Sequence, residues 1–561
     1  MVSLSSRPQS ASKRAETTAP PRTVLLVFLI ALLWFLAGTG THSLFDSDEP
    51  RFAEASRDMM VRGDAMLPML NGEPRLDKPI LVYWLQILGY FLFGVGEVGA
   101  RFPSALGLAL AVAMTVRIGA RIFGGTAGLL AGVVLATCLQ ANVTGRASTA
   151  DGLLLGCVVV TIDALHRRVR GEKTVGTWLA LWLGVAACGL AKGPPGWVAP
   201  GMAGIGAFLL IRRGDRLRGL AGGAAGVLLA IGLVLAWAIP VDLRTDGGIF
   251  SVALGKHVVG RAGGGVAGHG GWAPWWFLYY FGTVLLSFFP WSAWLPNAWR
   301  RWRDFGLDPR DRALLGWWIA GTFLLFTLVI GKRPHYVLPM FPALAVLVGG
   351  ALVAGPARLT KTGSGFLLVV LVGSAAVEAH ILTGTGFRGT FPGLFLLEFA
   401  LLVLILSLAS RPRETARAVT LAVGLVVVLF GGLMFLVLPG LERHRLVPQV
   451  AAALADAAPP GTKRVIVDFR PDGLTFYSQR DADGRLTTES TVVIERVALG
   501  KPLLALLRSG ERVAVVMTEE RRDRILQVQG LERLPGRPVW RGVGWYAKKS
   551  EWETVVIHVS P

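Results

Sequence analysis

Phe45-Asp-Ser-Asp-Glu-Pro-Arg-Phe-Ala-Glu54, continuing through Arg62-Gly-Asp64 to Leu70-Asn-Gly-Glu-Pro-Arg-Leu-Asp-Lys-Pro79, decides how the rest of the chain is read. It is a polar island holding Asp46, Asp48, Glu49, Arg51, Glu54, Arg57, Asp58, Arg62, Asp64, Glu73, Arg75, Asp77 and Lys78. It begins where the first long apolar run ends, near Phe45. Charges that dense beside a membrane must lie in water or in a cavity, because the bilayer centre costs about 3 kcal/mol for each Asp, Lys or Arg. The stretch is therefore expected to form the floor of an active site at a membrane surface.

The flanking sequence fits that expectation. Of 561 residues, 53% are hydrophobic and only 17% charged, against roughly 25% charged in soluble domains. Apolar runs of the ~20 residues that cross a bilayer recur along the chain. The expected fold class is an all-α polytopic membrane domain with a small α/β domain appended where the composition shifts near residue 440. Thirteen spans fit, at about 24–44, 101–121, 126–142, 152–166, 176–191, 196–211, 219–240, 274–295, 313–330, 336–354, 364–383, 392–409 and 418–438.

The net charge of +20 would suit a nucleic-acid binder. The Arg and Lys instead cluster in short loops between apolar runs, as the positive-inside rule requires, so no nucleic-acid partner is expected. Cys138, Cys157 and Cys188 lie in apolar runs and read as small buried hydrophobes rather than a disulfide framework. The N-terminal apolar run follows Arg7, Lys13 and Arg14 without a convincing cleavage site, so it reads as an uncleaved first span.

Loop charge sets the orientation. The tail at 1–23, Arg117/Arg121, Arg167 to Arg170, Arg212 to Arg218, Arg300 to Arg312, Arg358/Lys361 and Arg411 to Arg417 all fall on one side, the cytoplasm. The segment 80–95 is apolar but short for a crossing, and a crossing there would turn every later basic loop outward. It is placed as a helix at the outer interface, with Tyr83, Trp84 and Tyr90 as interfacial aromatics; a full span there is the alternative. The first outer loop then runs 45–100, the membrane domain 24–438, and an extracytoplasmic α/β domain 439–561. In that last part, 464–469, 513–517, 539–546 and 554–559 read as strands, and 472–479, 501–508 and 521–529 as helices.

Five polar constellations come out on the outer face. Asp48-Glu49 with Arg51 supplies an aqueous carboxylate for general-base work, or acidic residues at the start of a helix over 50–62 with Pro50 in its first turn. Asn71 to Pro79 offers Lys78 to a phosphate, with Asp77 as metal ligand or positioning group; it also reads as a polar turn. Ser148-Thr149-Ala150-Asp151 suits a helix N-cap. Lys256-His257-Val-Val-Gly-Arg261 could meet a phosphate or hold a metal through His257, or be solvated loop. Gly263 to Gly271 reads as a flexible linker, and Gly331-Lys-Arg-Pro-His-Tyr336 as a basic loop that could equally anchor anionic lipid.

Singly these are weak signals, but together they carry a resemblance. Asp48-Glu-Pro-Arg-Phe-Ala-Glu54, Arg62-Gly-Asp64, Pro68, Leu70 to Pro74, Asp77-Lys-Pro79, Tyr83-Trp84, Phe93-Gly94, Ala100-Arg101, Asp151, Ala191-Lys192-Gly193, the His257/Arg261 loop and Lys332 to Tyr336 resemble bacterial polyprenyl-phosphate-sugar glycosyltransferases. These GT-C type enzymes include the undecaprenyl-phosphate aminoarabinose transferases acting on lipid A, and belong to the protein O-mannosyltransferase superfamily. The resemblance implies a multi-spanning inner-membrane enzyme with its active site and C-terminal domain on the periplasmic side. It implies Asp48, Glu49 and Asp151 as catalytic carboxylates, and Lys78, Arg51, Arg261, Lys192 and Arg333 around the donor phosphate. Some aminoarabinose transferases carry Glu where Asp77 stands; that acid and His257 are the implied pair for a divalent metal.

The expected reaction is inverting transfer of a sugar from a polyprenyl phosphate to a hydroxyl on a lipid, glycan or protein. Asp48 takes the acceptor proton. The departing phosphate monoester, with a second pKa of about 6, needs positive charge rather than an acid, so no cofactor is required. An oligosaccharide ligase using a lipid diphosphate donor is the alternative enzyme. A lipid-linked sugar transporter is disfavoured because its polar groups would sit at midplane within internal repeats.

Overall fold

The computed structural model describes residues 19–45, 48–210, 213–252, 278–329, 331–355, 359–370, 373, 400, 402–407, 414–442, 444–458, 462–467, 473–478, 494–497, 501–509, 511–529, 534, 537–546 and 551–559. His257, Arg261, the Gly263–Gly271 run and most of the expected spans at 364–383 and 392–409 lie outside the described residues.

The apolar runs form helices. α1 (Pro21–Leu36) opens the bundle, followed by α2 (Asp48–Arg62), α3 (Leu81–Phe93), α4 (Glu97–Phe123), α5 (Gly125–Ala136), α6 (Leu139–Gly145), α7 (Ala150–Val169), α8 (Val175–Lys192), α9 (Val198–Leu210) and α10 (Arg213–Arg244). Beyond residues 253–277 come α11 (Tyr279–Ser287), α12 (Leu295–Arg301), α13 (Pro309–Leu328), α14 (Phe341–Val353), entered through a 3₁₀ turn at Pro334–Met340, and α15 (Thr415–Gly432). Among the described residues, 5 helices are long and apolar enough to cross a membrane, or up to 6 if α5 and α6, bent by 63°, count as one broken span. The expected run at 274–295 is also broken: α11 stops at Ser287 and a 3₁₀ turn occupies Trp291–Trp294.

Close approach of backbones holds α4 against α7. In lipid, burying one apolar side chain against another gains little over lipid contact, so helices associate through small residues that let backbones touch. A Cβ on Gly107 would lie 2.3 Å from the Gly152 carbonyl oxygen, and one on Gly156 2.6 Å from the Gly107 oxygen. Gly152 and Gly156, four apart on α7, thus form a groove that receives α4.

The first polar stretch folds as its local signals require. α2 starts at Asp48 with Asp48 and Glu49 in its first turn, as acidic residues at a helix N-terminus favour. Asn71-Gly72, both at positive φ (54° and 80°), turns a two-residue hairpin pairing β1 (Met69–Leu70) with β2 (Glu73–Pro74); Asn-Gly is the sequence such a tight turn prefers. α3 occupies the ambiguous apolar segment. Its 13 residues reach about 20 Å at 1.5 Å each, short of the ~30 Å hydrocarbon core.

Past α15, the helices α16 (Leu438–Glu442) and α17 (Leu446–Ala457) lead to a five-stranded sheet, with α18 (Leu474–Tyr477), α19 (Lys501–Leu507) and α20 (Glu519–Gln529) between strands. The strands are β3 (Lys463–Val467), β4 (Ile494–Val497), β5 (Val513–Thr518), β6 (Arg537–Tyr546) and β7 (Glu551–Val559), in the order β4-β3-β5-β7-β6. β3 runs parallel to β4 and β5, while β7 is antiparallel to β5 and β6. β5 is buried along its whole length, so it reads as a continuous apolar run. Val513, Val515 and Met517 pack with Leu503 and Ile525 on one face. On the other, Ala514 and Val516 join Leu446, Val450 and Phe476 in a core that also takes in Leu44, Ala53, Tyr90 and Ala100 of the membrane-side chain. The expected 472–479 helix is a single turn, and β4 is a strand the sequence pattern did not mark.

Candidate active site

α7 organises the molecule's two polar ends. Its 20 residues span about 30 Å. At the far end Asp163 meets Arg121 (2.7 Å), Arg167 (3.3 Å) and Arg117 (3.6 Å). Asp311 there takes His166 (2.9 Å) and Arg170 (2.7 Å). These are the basic loops whose charge set the orientation. At the near end, Thr149 stands at the N-cap in extended conformation, as the spacing suggested, but its side chain makes no capping bond; its carbonyl instead accepts the Ser104 hydroxyl (2.9 Å). The helix thereby presents Asp151.

Asp151 contacts the Lys192 ammonium, and His335 Nε2 lies 3.8 Å from the same carboxylate oxygen. Lys192 Nζ also sits 5.4 Å from the centre of the Tyr336 ring. These groups line a cavity of about 280 Å³. The rest of its lining is apolar: Leu154, Pro194, Pro195, Val198, Leu325, Phe326, Val329, Leu338 and Pro339. Gly193, which follows Lys192, has φ 67° and ψ −150°, a backbone region essentially restricted to glycine. That turn lays the segment beside the Asp77-Lys78-Pro79 loop, since a Cβ on Gly193 would stand 3.9 Å from Pro79 Cγ. Lys78 acts electrostatically on Asp151, and Asp48 and Arg333 act on His335. Asp48, Lys78, Asp151, Lys192, Arg333 and His335 thus share one neighbourhood.

The groups flanking it are fixed in place. Asp48 is 59% exposed, with Arg51 Nη1 at 3.8 Å. Lys78 Nζ donates to the Asp77 carbonyl (3.1 Å). Lys332 caps the end of α13 by donating to the Thr327 (2.7 Å) and Val329 (3.0 Å) carbonyls, and burial lowers its pKa. The Arg333 backbone is tied to the Tyr280 hydroxyl, 3.3 and 3.4 Å away.

Glu49 is placed differently from its neighbour Asp48. It is buried and takes the Arg101 guanidinium through two bonds of 3.0 and 2.9 Å. It also accepts the backbone N–H of Phe45 (2.7 Å) and that of Ser148. Burial pushes this carboxyl up; the charge and hydrogen bonds of Arg101 and the two amides outweigh burial and leave it below its ordinary value. Arg101 also donates to the Thr39, His42 and Ser43 carbonyls. One ion pair therefore joins the chain entering Asp48 to the turn entering Asp151. A second hub is Gln86 of α3, which accepts from Ser56 (2.6 Å) and donates to Ala100 (2.9 Å) and Ser148 (2.7 Å).

The loop charges place Asp48, Asp77, Lys78, Asp151, Lys192, His257, Arg261, Arg333 and His335 on one face; the structure brings Asp48, Lys78, Asp151, Lys192, Arg333 and His335 together, while His257 and Arg261 lie outside the described residues. The sequence pattern gives His335 and Tyr336 no role of their own within the basic loop, although His335 falls on that same face. The signal was available: a histidine and an aromatic ring beside cations at a span's mouth. The resemblance assigns no task to Arg101, although an arginine within an apolar run demands a partner. For the metal, His257 lies outside the described residues. Among the described residues, no three His, Cys, Asp or Glu side chains come together in a way that could hold an ion.

Comparison with known proteins fits this arrangement. The family model for dolichyl-phosphate-mannose-protein mannosyltransferase matches residues 77–241. An undecaprenyl phosphate-α-4-amino-4-deoxy-L-arabinose arabinosyl transferase 2 from Pseudomonas fluorescens is 30% identical over 465 residues, covering 79% of this chain and 77% of that one. The corresponding transferase of Pseudomonas paraeruginosa is 31% identical over 340 residues, 58% of this chain and 59% of its own. The crystal structure of ArnT from Cupriavidus metallidurans bound to undecaprenyl phosphate shares the fold, with a TM-score of 0.71 at 22% identity over 96% of this chain and 98% of that one. The chain belongs to the undecaprenyl phosphate-α-4-amino-4-deoxy-L-arabinose arabinosyl transferase family of multi-pass membrane glycosyltransferases.

Proposed function

We infer that this membrane glycosyltransferase moves a sugar from a polyprenyl phosphate to an acceptor hydroxyl at the outer face of the inner membrane. The observation that carries the reading is the cavity lined both by Asp151, Lys192, His335 and Tyr336 and by apolar side chains. That mixed lining suits a phosphate carried on an isoprenoid chain. The relatives' names make 4-amino-4-deoxy-L-arabinose the first sugar to test, and a lipid A-like molecule the first acceptor.

In this reading Asp48 accepts the proton of the acceptor hydroxyl as that oxygen bonds the anomeric carbon. The bond from that carbon to the phosphate oxygen breaks on the opposite side, and the configuration inverts. Negative charge collects on the released polyprenyl phosphate. Lys78, Lys192, Arg51 and Arg333 stabilise it, as preorganised positive charge aimed at developing negative charge does. Asp151 holds Lys192 in place, while Glu49 serves the site through Arg101 rather than touching substrate. Arg261 remains a proposed phosphate contact, and Asp77 with His257 a proposed metal pair; no step above passes through a metal.

The proposed topology keeps thirteen crossings, a cytoplasmic tail at 1–23, a membrane domain at 24–438 and a periplasmic α/β domain at 439–561. α3 lies at the outer interface. The separation along α7 of the arginine-rich end from the Asp151 end supports this.

Released lipid tests the reading. Proteoliposomes given polyprenyl-phosphate-linked sugar and a mixed acceptor pool should yield polyprenyl monophosphate and a glycosylated acceptor, with Lys78→Ala lowering turnover at least tenfold. Turnover only with a diphosphate donor would replace it with the ligase reading.

A further inference from the structure

Three backbone residues, Ser43, Leu44 and Phe45, lead into the start of α2, where Asp48 stands. A surface loop would satisfy its backbone through water, and a buried one needs protein partners. Here the partners come from about 400 residues later. Glu442 accepts the Ser43 amide (3.1 Å), and Tyr477 Oη accepts the Leu44 amide (2.5 Å). The Arg445 guanidinium donates to the Ser43 (2.7 Å) and Leu44 (2.6 Å) carbonyls and lies 4.9 Å from the centre of the Phe45 ring. From the membrane side Arg101 takes the Ser43 carbonyl and Glu49 the Phe45 amide.

The same single turn, α18, reaches the other arm of the site. Thr475 Oγ1 donates to Asn71 Oδ1 (2.9 Å) at the tip of the β1–β2 hairpin, a few residues before Lys78. Tyr477 Oη also donates to Glu97 Oε1 (3.0 Å) at the start of α4. Tyr477 is itself anchored, packing in the sheet core with Phe476, Val516 and Ile557.

We propose that Tyr477 and Arg445 are positioning residues for transfer: the C-terminal sheet, through α18 and the α16–α17 junction, fixes the strap that presents Asp48. Thr475 extends the same grip to the hairpin that leads to Lys78. The inference rests on the roles given to Asp48 and Lys78 above. It makes the C-terminal region part of the catalytic geometry rather than an appended module. Misplacing a reacting group by about 1 Å can cost on the order of 100-fold in rate, so a loosened strap should lower turnover without changing how the donor is held.

Tyr477→Phe removes one oxygen and keeps the packed ring; Arg445→Lys keeps the charge and loses the fork that spans two carbonyls. Both are measured in the full chain in proteoliposomes, by transfer kinetics and by amide hydrogen exchange of peptides covering 40–50. The expected result for Tyr477→Phe is a kcat lower by about tenfold or more, a donor KM within about twofold, and faster exchange at 43–49, with Arg445→Lys changing in the same direction. Unchanged kcat in both variants overturns the proposal, as does a raised donor KM with kcat intact. Loss of folded protein in both variants, by size exclusion, also overturns it, in favour of a docking contact alone. Should wild type fail to use a polyprenyl-phosphate donor, the functional reading fails instead. Exchange then decides this one: unaltered 43–49 exchange in Tyr477→Phe contradicts the grip, and faster exchange supports it.

Discussion

Gly193 and Glu49 show how single residues set the site. Gly193 holds φ 67° and ψ −150° between Lys192 and the 3₁₀ turn at Pro194–Trp197. A Cβ there would meet only Pro79 Cγ, at 3.9 Å, so space is not the obstacle. The backbone region is, at about 1–3 kcal/mol for a residue other than glycine. Gly193→Ala is therefore expected to shift Lys192 relative to Asp151 and to reduce kcat/KM for the donor by about tenfold, about 1.4 kcal/mol within that range, while the protein still purifies folded. Glu49 makes a pH prediction. Its folded pKa is depressed, so its contribution is fully present above the ordinary glutamate value of about 4.3 and is lost as pH falls through the folded value. Melting of wild type followed downward from about pH 5 into the range below about 4.3 should show that acid loss. Glu49→Gln, which leaves Arg101 buried without its counter-charge, should be less stable at pH 7 by about 3–5 kcal/mol and lack this part of the acid dependence. Asp48 is singled out as the proposed base without a structure, by the polar island beside a span together with the family resemblance. The separation of Asp48 from Glu49 into an exposed acid and a buried clamp was not visible. It depends on Arg101, some fifty residues away in sequence, entering the same space.

At the scale of elements, helices were legible wherever the apolar run was long and broken by basic loops. α4, α7, α8 and α10 lie where the hydropathy put them, and the strands β3, β5, β6 and β7 fall within a few residues of their patterns. The bend between α5 and α6 was not legible. Nor was the break after α11 marked, although Pro290 stands in it and a proline inside an apolar run is a sign that a helix ends or kinks. The hairpin at Asn71-Gly72 was legible as a turn because both residues accept positive φ. Helix packing was not marked, although Gly152 and Gly156 carry the small-residue spacing that tight pairs use. Gly156→Leu should push α7 off α4, because a Cβ alone would stand 2.6 Å from the Gly107 carbonyl oxygen. The expected cost is about 1–3 kcal/mol, seen as a lower melting temperature in detergent. Because α7 carries Asp151, transfer should fall as well; an unchanged melting temperature would contradict the packing account.

For the whole molecule, the charge pattern of the loops is the strongest information the sequence contains. It sorted the polar residues to one face before any geometry was known, and α7 shows the two ends as separate clusters, arginines around Asp163 and Asp311 at one and Asp151 with Lys192 at the other. The sequence could not show that the C-terminal sheet shares a core with Leu44, Ala53, Tyr90 and Ala100, because contacts between ends of a long chain leave no local pattern. The central claim is that Asp48 takes the acceptor proton in sugar transfer from a polyprenyl phosphate. The most direct measurement compares single-turnover transfer by wild type and Asp48→Asn in proteoliposomes, with undecaprenyl-phosphate-linked aminoarabinose as donor. The account predicts transfer by wild type and a loss of about 100- to 10,000-fold in the variant, with donor binding retained. A folded Asp48→Asn protein that transfers at the wild-type rate would contradict it.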